Sequence, residues 1–116
     1  MKYILILLLL ICSVASAEKI DDLKLVDAIF IAEGGYKATY LYGIRSIPYK
    51  DESDARQICL NTVRNQRKRH AKHTCGLTYL ECLANRYCPV GAKNDPKGLN
   101  RHWLKNVLYY YNKGSK

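Results

Sequence analysis

The chain has 116 residues, which fits one domain and leaves no room for a second. With 48% apolar and 25% charged residues it is no candidate for wholesale disorder. Nineteen Lys and Arg against ten Asp and Glu give a net charge of +9, a balance that suits anionic partners.

Residues 1–17 carry Lys2, an apolar run from Ile4 to Ile11, and Ala15-Ser16-Ala17. A charged start, a short apolar run and a small-residue ending read as a secretory signal peptide. The run falls short of the ~20 residues that span a bilayer; a retained N-terminal anchor is the alternative. Ile11 ahead of Cys12 is not the small residue a lipoprotein signal places there, which disfavours lipid anchoring. Removing this segment leaves one domain over 18–116, and the loss of Lys2 lowers the charge to +8. The expectation is an exported monomer, periplasmic or extracellular, with no stable membrane insertion, since no later segment approaches membrane-spanning length. Export also removes a nucleic-acid partner, although Arg64-Asn65-Gln66-Arg67-Lys68-Arg69-His70 has the composition of a nucleic-acid patch.

Four helices follow, with little strand signal. The first is expected from Ile20 to Glu33, where Ile20, Leu23, Val26, Ile29 and Phe30 recur at helical spacing. Asp21 and Asp22 suit its first turn, and Gly34-Gly35 supplies the stop. Glu33 then falls in the last turn beside the apolar stripe, facing the unfavourable end of the helix dipole. Tyr36 to Lys50 holds Tyr36, Tyr40, Tyr42 and Tyr49, amphipathic rings suited to stacking on sugars as well as to packing. This stretch reads as a short hairpin or an irregular lobe.

The second helix is expected from Ser53 to Lys72, capped by Asp51 or Ser53, with Ala55, Ile58, Cys59, Thr62 and Val63 inward. Acid at its start and base from Arg64 to Lys72 match its dipole. Thr78-x-x-Glu81 is a capping box for a short third helix with Leu80, Leu83 and Ala84 inward, ended by Pro89. After a loop by composition from Val90 to Gly98, the last helix runs from Leu99 to Asn112 with Leu99, Trp103, Val107 and Tyr110 or Tyr111 at core spacing.

Loss of Cys12 leaves Cys59, Cys75, Cys82 and Cys88, a disulfide framework with three possible pairings. Cys59–Cys88 would tie the third helix onto the second. Cys75–Cys82 would staple the start of the third helix, provided the chain turns at Gly76, because two cysteines seven apart in one helix lie ~10.5 Å apart along its axis. A zinc site built on His70, His73 and Cys75 is the competing reading, but the spacing matches no knuckle, and no metal or cofactor is expected.

Ala32-Glu33-Gly34-Gly35 and then Tyr42-Gly43-Ile44 resemble the lysozyme-like superfamily. Arg86-Tyr87-Cys88-Pro89 and the stretch from Asn94-Asp95-Pro96-Lys97-Gly98-Leu99-Asn100-Arg101-His102-Trp103 to Val107 resemble the C-terminal part of small phage-type and bacterial members. The resemblance implies a mainly α, or α+β, lysozyme-like fold: about four helices, a small tyrosine-rich β or irregular lobe, and a catalytic Glu33 bordering the cleft between them. It departs from the family in having no Glu-Ser pair and no Gly-Leu-Met-Gln signature. Between Glu33 and Asp51 there is no second acid, whereas retaining and inverting glycosidases need one about 5–5.5 Å or 6.5–9.5 Å away. The resemblance therefore implies a lytic transglycosylase or lysozyme-type glycosidase acting on peptidoglycan glycan strands, with Glu33 as acid and then base. Tyr42, Tyr49 and Tyr87 are the candidate substrate-binding residues. The alternatives are a non-catalytic glycan-binding module and a cationic membrane-active secreted protein. A secreted ribonuclease using His70, His73 and His102 is a further alternative.

Overall fold

The computed structural model describes residues 20–73, 75–93 and 95–114; the signal-peptide reading of residues 1–17 lies outside them. Four α-helices follow in the expected order: α1 (Asp22–Ala32), α2 (Glu52–Lys72), α3 (Tyr79–Tyr87) and α4 (Trp103–Lys113). No strand occurs among the described residues, so the fold is mainly helical. Of its two expected forms, the tyrosine-rich segment takes the irregular one, wound through 3-10 turns at Gly35–Lys37 and Leu41–Gly43. Gly34, Gly35 and Gly43 all take positive φ there, which breaks up extended backbone before it can pair.

Side-chain caps fix where three of the helices begin. Asp21 Oδ1 accepts from the Leu23 N–H at 2.9 Å, Asp51 Oδ1 accepts from the Asp54 N–H at 2.8 Å, and Thr78 and Glu81 form the reciprocal capping box. The fourth helix has no side-chain cap and is led in by a 3-10 turn, Leu99–His102. That turn is organised by Asp95, a buried carboxylate that accepts from the N–H groups of Gly91, Leu99 and Asn100. Burial alone would raise its pKa; the three donors outweigh it and hold the group below the ordinary carboxyl value. Leu99, expected in the core, sits on the outside of this turn, 60% exposed.

α1 packs against both α2 and α4, and so buries a broad arc, Leu25, Val26, Ala28 and Ile29. The narrower expected stripe fails at Leu23, which is exposed. Ala55, Cys59, Leu60 and Val63 from α2, Leu83 from α3, and Trp103 and Val107 from α4 complete the core. Ion pairs join Asp22 to Arg67 and Asp27 to Arg56. The earlier residue of α1 meets the later residue of α2, so these helices run in opposite directions.

Arg67 does more than contribute to a basic helix end. Its guanidinium contacts Asp22 Oδ1 through Nε (3.1 Å) and Nη2 (2.6 Å), donates from Nη2 to the Ile20 carbonyl (2.8 Å), and lies 4.7 Å from the Tyr79 ring centre. One side chain thus clamps the start of α1 and the start of α3 to α2. The run from Arg64 to Lys72 is accordingly divided: Arg67 is tied into the fold, whereas Lys68 and Arg69 are exposed.

Cys75 and Cys82 form the expected disulfide, with Cα atoms 6.0 Å apart and the chain turned at Gly76 (φ +83°). The second expected bridge is absent: Cys59 and Cys88 are free thiols. The reason lies at the end of α3, where consecutive side chains diverge by about 100° around the helix. Tyr87, not Cys88, turns toward α2, and its hydroxyl lies 3.5 Å from Cys59 Sγ. Cys88 instead lines a cleft described below. Burial pushes the Cys59 thiol up to about 12 and the Cys88 thiol up to about 11.

Two measurements check this account. Arg67→Ala should cost about 1–3 kcal/mol in urea unfolding, since it removes charge-assisted bonds and a ring contact together, while Lys68→Ala or Arg69→Ala should stay within about 0.5 kcal/mol. Peptide mapping without reduction should recover Cys75 joined to Cys82, with Cys59 alkylated only after unfolding. The thiol also sets a pH dependence. Cys59 ionises near its ordinary value of 9.0 when unfolded but only near about 12 when folded. The stability it supports is whole below pH 9 and is lost as pH rises through that window, at ~1 kcal/mol per unit. Cys59→Ala should flatten the alkaline decline by one proton.

Candidate active site

Glu33 is the C-cap of α1, its N–H bonded to the Ile29 carbonyl at 2.9 Å. Beyond it Gly34 (φ +108°) and Gly35 (φ +59°) turn the chain away, so the carboxylate stands at the end of the helix, half-buried. Two neighbours hold it. Trp103, the first residue of α4, donates its indole N–H to Glu33 Oε1 at 2.7 Å. On the other side lies the backbone of Gly43, so close that a Cβ there would stand 2.6 Å from Glu33 Oε2. Both contacts follow from the fold: α1 packs on α4, and the 3-10 turn Leu41–Gly43 packs on both α1 and α2.

That turn is itself held under tension. Tyr42 has φ +58°, a left-handed conformation uncommon outside glycine and costing about 1–2 kcal/mol. Its ring repays this inside the core, 2% exposed and 4.9 Å from the Phe30 ring, with the Arg56 charge acting on its phenol. The Tyr42 carbonyl accepts a hydrogen bond from the Tyr87 hydroxyl. Tyr87 in turn stacks on Trp103, ring centres 5.0 Å apart and planes 22° from parallel. Burial raises the Tyr87 phenol well above its usual range, so it remains a donor at any ordinary pH. Tyr87 therefore braces both supports of Glu33, the indole by stacking and the Tyr42-Gly43 backbone by hydrogen bonding.

Glu33 lies where two open hollows meet. The larger, about 270 Å³, has Arg45 and Ser46 on the lobe side and Tyr87, Cys88, Pro89 and Asn100 opposite. The smaller, about 160 Å³, is lined by Ala38, Thr39, Tyr40 and Arg45. Among the described residues, Glu33 is the sole acid lining either hollow. Asp51 is occupied as the cap of α2, Asp54 accepts from the Lys50 N–H, and Glu52 accepts from the Tyr36 hydroxyl. No cluster of potential metal ligands occurs among the described residues.

Of the residues singled out in the sequence, Glu33 and Tyr87 line the cleft. Tyr42 does not present its ring there, because that ring belongs to the core. Tyr49 lines neither hollow; its hydroxyl accepts from the Leu41 N–H at 2.9 Å and braces the lobe. Trp103 was legible only as a core residue. Its composition held a further signal: a buried indole N–H needs an acceptor, and this is the one tryptophan in the chain. Arg45, Ser46 and Asn100 carry no sequence pattern that would have drawn them to the cleft.

Trp103→Phe keeps the stack on Tyr87 and removes only the donor, so the fold should survive at a cost of about 1–3 kcal/mol. Gly43→Ala should cost about 1–2 kcal/mol for the left-handed alanine, and its Cβ should push the carboxylate from the indole. Both Gly43→Ala and Glu33→Ala should move the single indole N–H resonance upfield in a proton–nitrogen NMR spectrum.

No family model, curated protein or solved structure matches the chain.

Proposed function

We propose that the chain cleaves the glycan strands of peptidoglycan, with Glu33 as its sole catalytic carboxylate. The observation that carries this reading is the position of Glu33: a half-buried acid lining two adjoining hollows, oriented by an indole N–H, with no second acid lining the cleft among the described residues. The motif resemblance to the lysozyme-like superfamily supports the same reading. So does an excess of cationic residues, since wall polymers are anionic.

Trp103 occupies Oε1 as an acceptor, which leaves Oε2 to carry the proton. The strand lies along both hollows with its scissile bond above Glu33. Oε2 donates its proton to the bridging oxygen as the anomeric carbon develops oxocarbenium character. With no second carboxylate to activate water, the nucleophile is the 6-hydroxyl of the same muramoyl sugar. Its proton returns to Glu33 as the new C1–O6 bond forms, so the acid is regenerated and the product ends in a 1,6-anhydro sugar. Tyr87 acts through its neighbours as a positioning residue. Tyr42 contributes by backbone conformation rather than by stacking on sugar.

Mass spectrometry of purified peptidoglycan digested with the protein tests the reading directly. The expected products carry 1,6-anhydromuramoyl ends. Glu33→Gln should fold normally and lose cleavage by several orders of magnitude, and Trp103→Phe should lose up to about 100-fold through a misplaced carboxylate. Asp51→Asn keeps a capping side chain and should lower stability by no more than about 1 kcal/mol, the worth of its charge at the helix start, without stopping the chemistry. Glycan binding without cleavage by the wild-type chain would instead identify a binding module. Ordinary reducing ends with an essential Asp51 or Asp54 would identify a two-carboxylate hydrolase.

A further inference from the structure

A third hollow, about 140 Å³, opens between the lobe and the face formed by α2 and α3. Its walls are aliphatic, from Ile44, Ile47 and Ile58, and two arginines, Arg45 and Arg86, line it as well. It adjoins the larger hollow at Glu33, since Gly43, Arg45, Ser46 and Tyr87 line both. Arg45 also lines the smaller hollow, so one residue borders all three spaces.

These two arginines differ from the others that the fold uses. Arg56 and Arg67 are neutralised by Asp27 and Asp22; among the described residues, neither Arg45 nor Arg86 forms an ion pair. Arg86 lies in the last turn of α3, where a base suits the helix dipole. Arg45 has no such account. It follows Gly43 and Ile44 in an irregular segment, with its guanidinium 5.3 Å from the Tyr40 ring centre. Two arginines without an acidic partner among the described residues, beside three isoleucines and next to the Glu33 cleft, match a specific chemistry: a short peptide of small side chains that ends in free carboxylates.

We infer that this hollow takes the peptide substituent of the sugar in the cleft, with Arg45 and Arg86 binding its carboxylates and the isoleucines receiving its methyl groups. The inference rests on the glycan reading and deepens it, because it makes the preferred substrate a peptide-bearing strand rather than a bare or neutral one. A muramoyl sugar carries such a peptide on its lactyl group. The lactyl carboxylate of a bare muramoyl sugar offers the same charge closer to the ring, so the two sources must be separated by experiment.

Binding to the uncleaving Glu33→Gln chain can be measured by calorimetry with three probes. These are a muramoyl tetrasaccharide with its peptides, the same glycan after enzymatic removal of the peptides, and the peptide-bearing glycan with its peptide carboxylates amidated. The peptide-bearing form should bind at least about tenfold more tightly than either of the others, the scale of one charge-assisted contact. Arg45→Gln with Arg86→Gln should bring the three within about twofold, and added salt should narrow the preference in the parent chain. Both arginines are exposed, so the double variant should melt with its parent. The Trp103 indole resonance reports independently whether the cleft itself is filled. If all three glycans shift it and bind equally, or if the double variant keeps the preference, the inference is overturned while the cleavage reading stands. If no glycan shifts it or binds, both fall together.

Discussion

A buried indole must place its N–H on an acceptor, and in this molecule that requirement decides where Glu33 sits. Trp103 is 7% exposed and begins α4, while Glu33 ends α1. The bond between them joins two helix ends across seventy residues of chain. Neither end could shift without stranding a donor in the core, a loss of about 1–3 kcal/mol. The carboxylate is held as a consequence of packing, and the cleft inherits its geometry from the core. Tyr87 extends the arrangement outward, because the ring that stacks on Trp103 also carries the hydroxyl that holds Tyr42 in its strained conformation.

The strain at Tyr42 and the missing side chain at Gly43 serve the same end. A turn in ordinary right-handed geometry would not bring backbone so near Glu33 Oε2. The left-handed pair Tyr42-Gly43 does, and the aromatic contact with Phe30 offsets the cost at the tyrosine. Strain kept beside a candidate catalytic group is common where packing over-determines the backbone. Here the packing responsible can be named: Phe30 beneath the ring, Arg56 at the phenol, Tyr87 at the carbonyl.

Much of the framework was legible in the sequence, because it is governed by local rules. Asp21, Asp51 and the Thr78–Glu81 box mark helix starts through hydrogen bonds reaching only two or three residues along the chain. Gly34-Gly35 marks a stop for equally local reasons, and with it comes the placement of Glu33. Gly76 similarly permits the Cys75–Cys82 bridge. What escaped were features decided by helix-on-helix rotation. Leu25 rather than Leu23 faces the core because α1 has neighbours on two sides. Tyr87 rather than Cys88 faces Cys59 because adjacent residues at a helix end diverge. Arg67 looked like one base in a solvated run, and only the antiparallel pairing of α1 with α2 shows that it is a clamp. Arg45 reaches the cleft from an irregular segment and Asn100 from a 3-10 turn ahead of α4, where the helical period does not announce direction.

The Arg67 clamp has a consequence for how the molecule can be mounted. It grips the chain at Ile20 and Asp22, the end of α1 opposite Glu33. Eleven helical residues separate the two, about 16 Å along the axis. An attachment made at Ile20 is therefore anchored at the end of α1 remote from Glu33. A purification tag, a linker to a surface or a fused carrier domain attached there would hang behind the helix, and the chain could be immobilised in one orientation with its cleft turned outward to a particulate substrate.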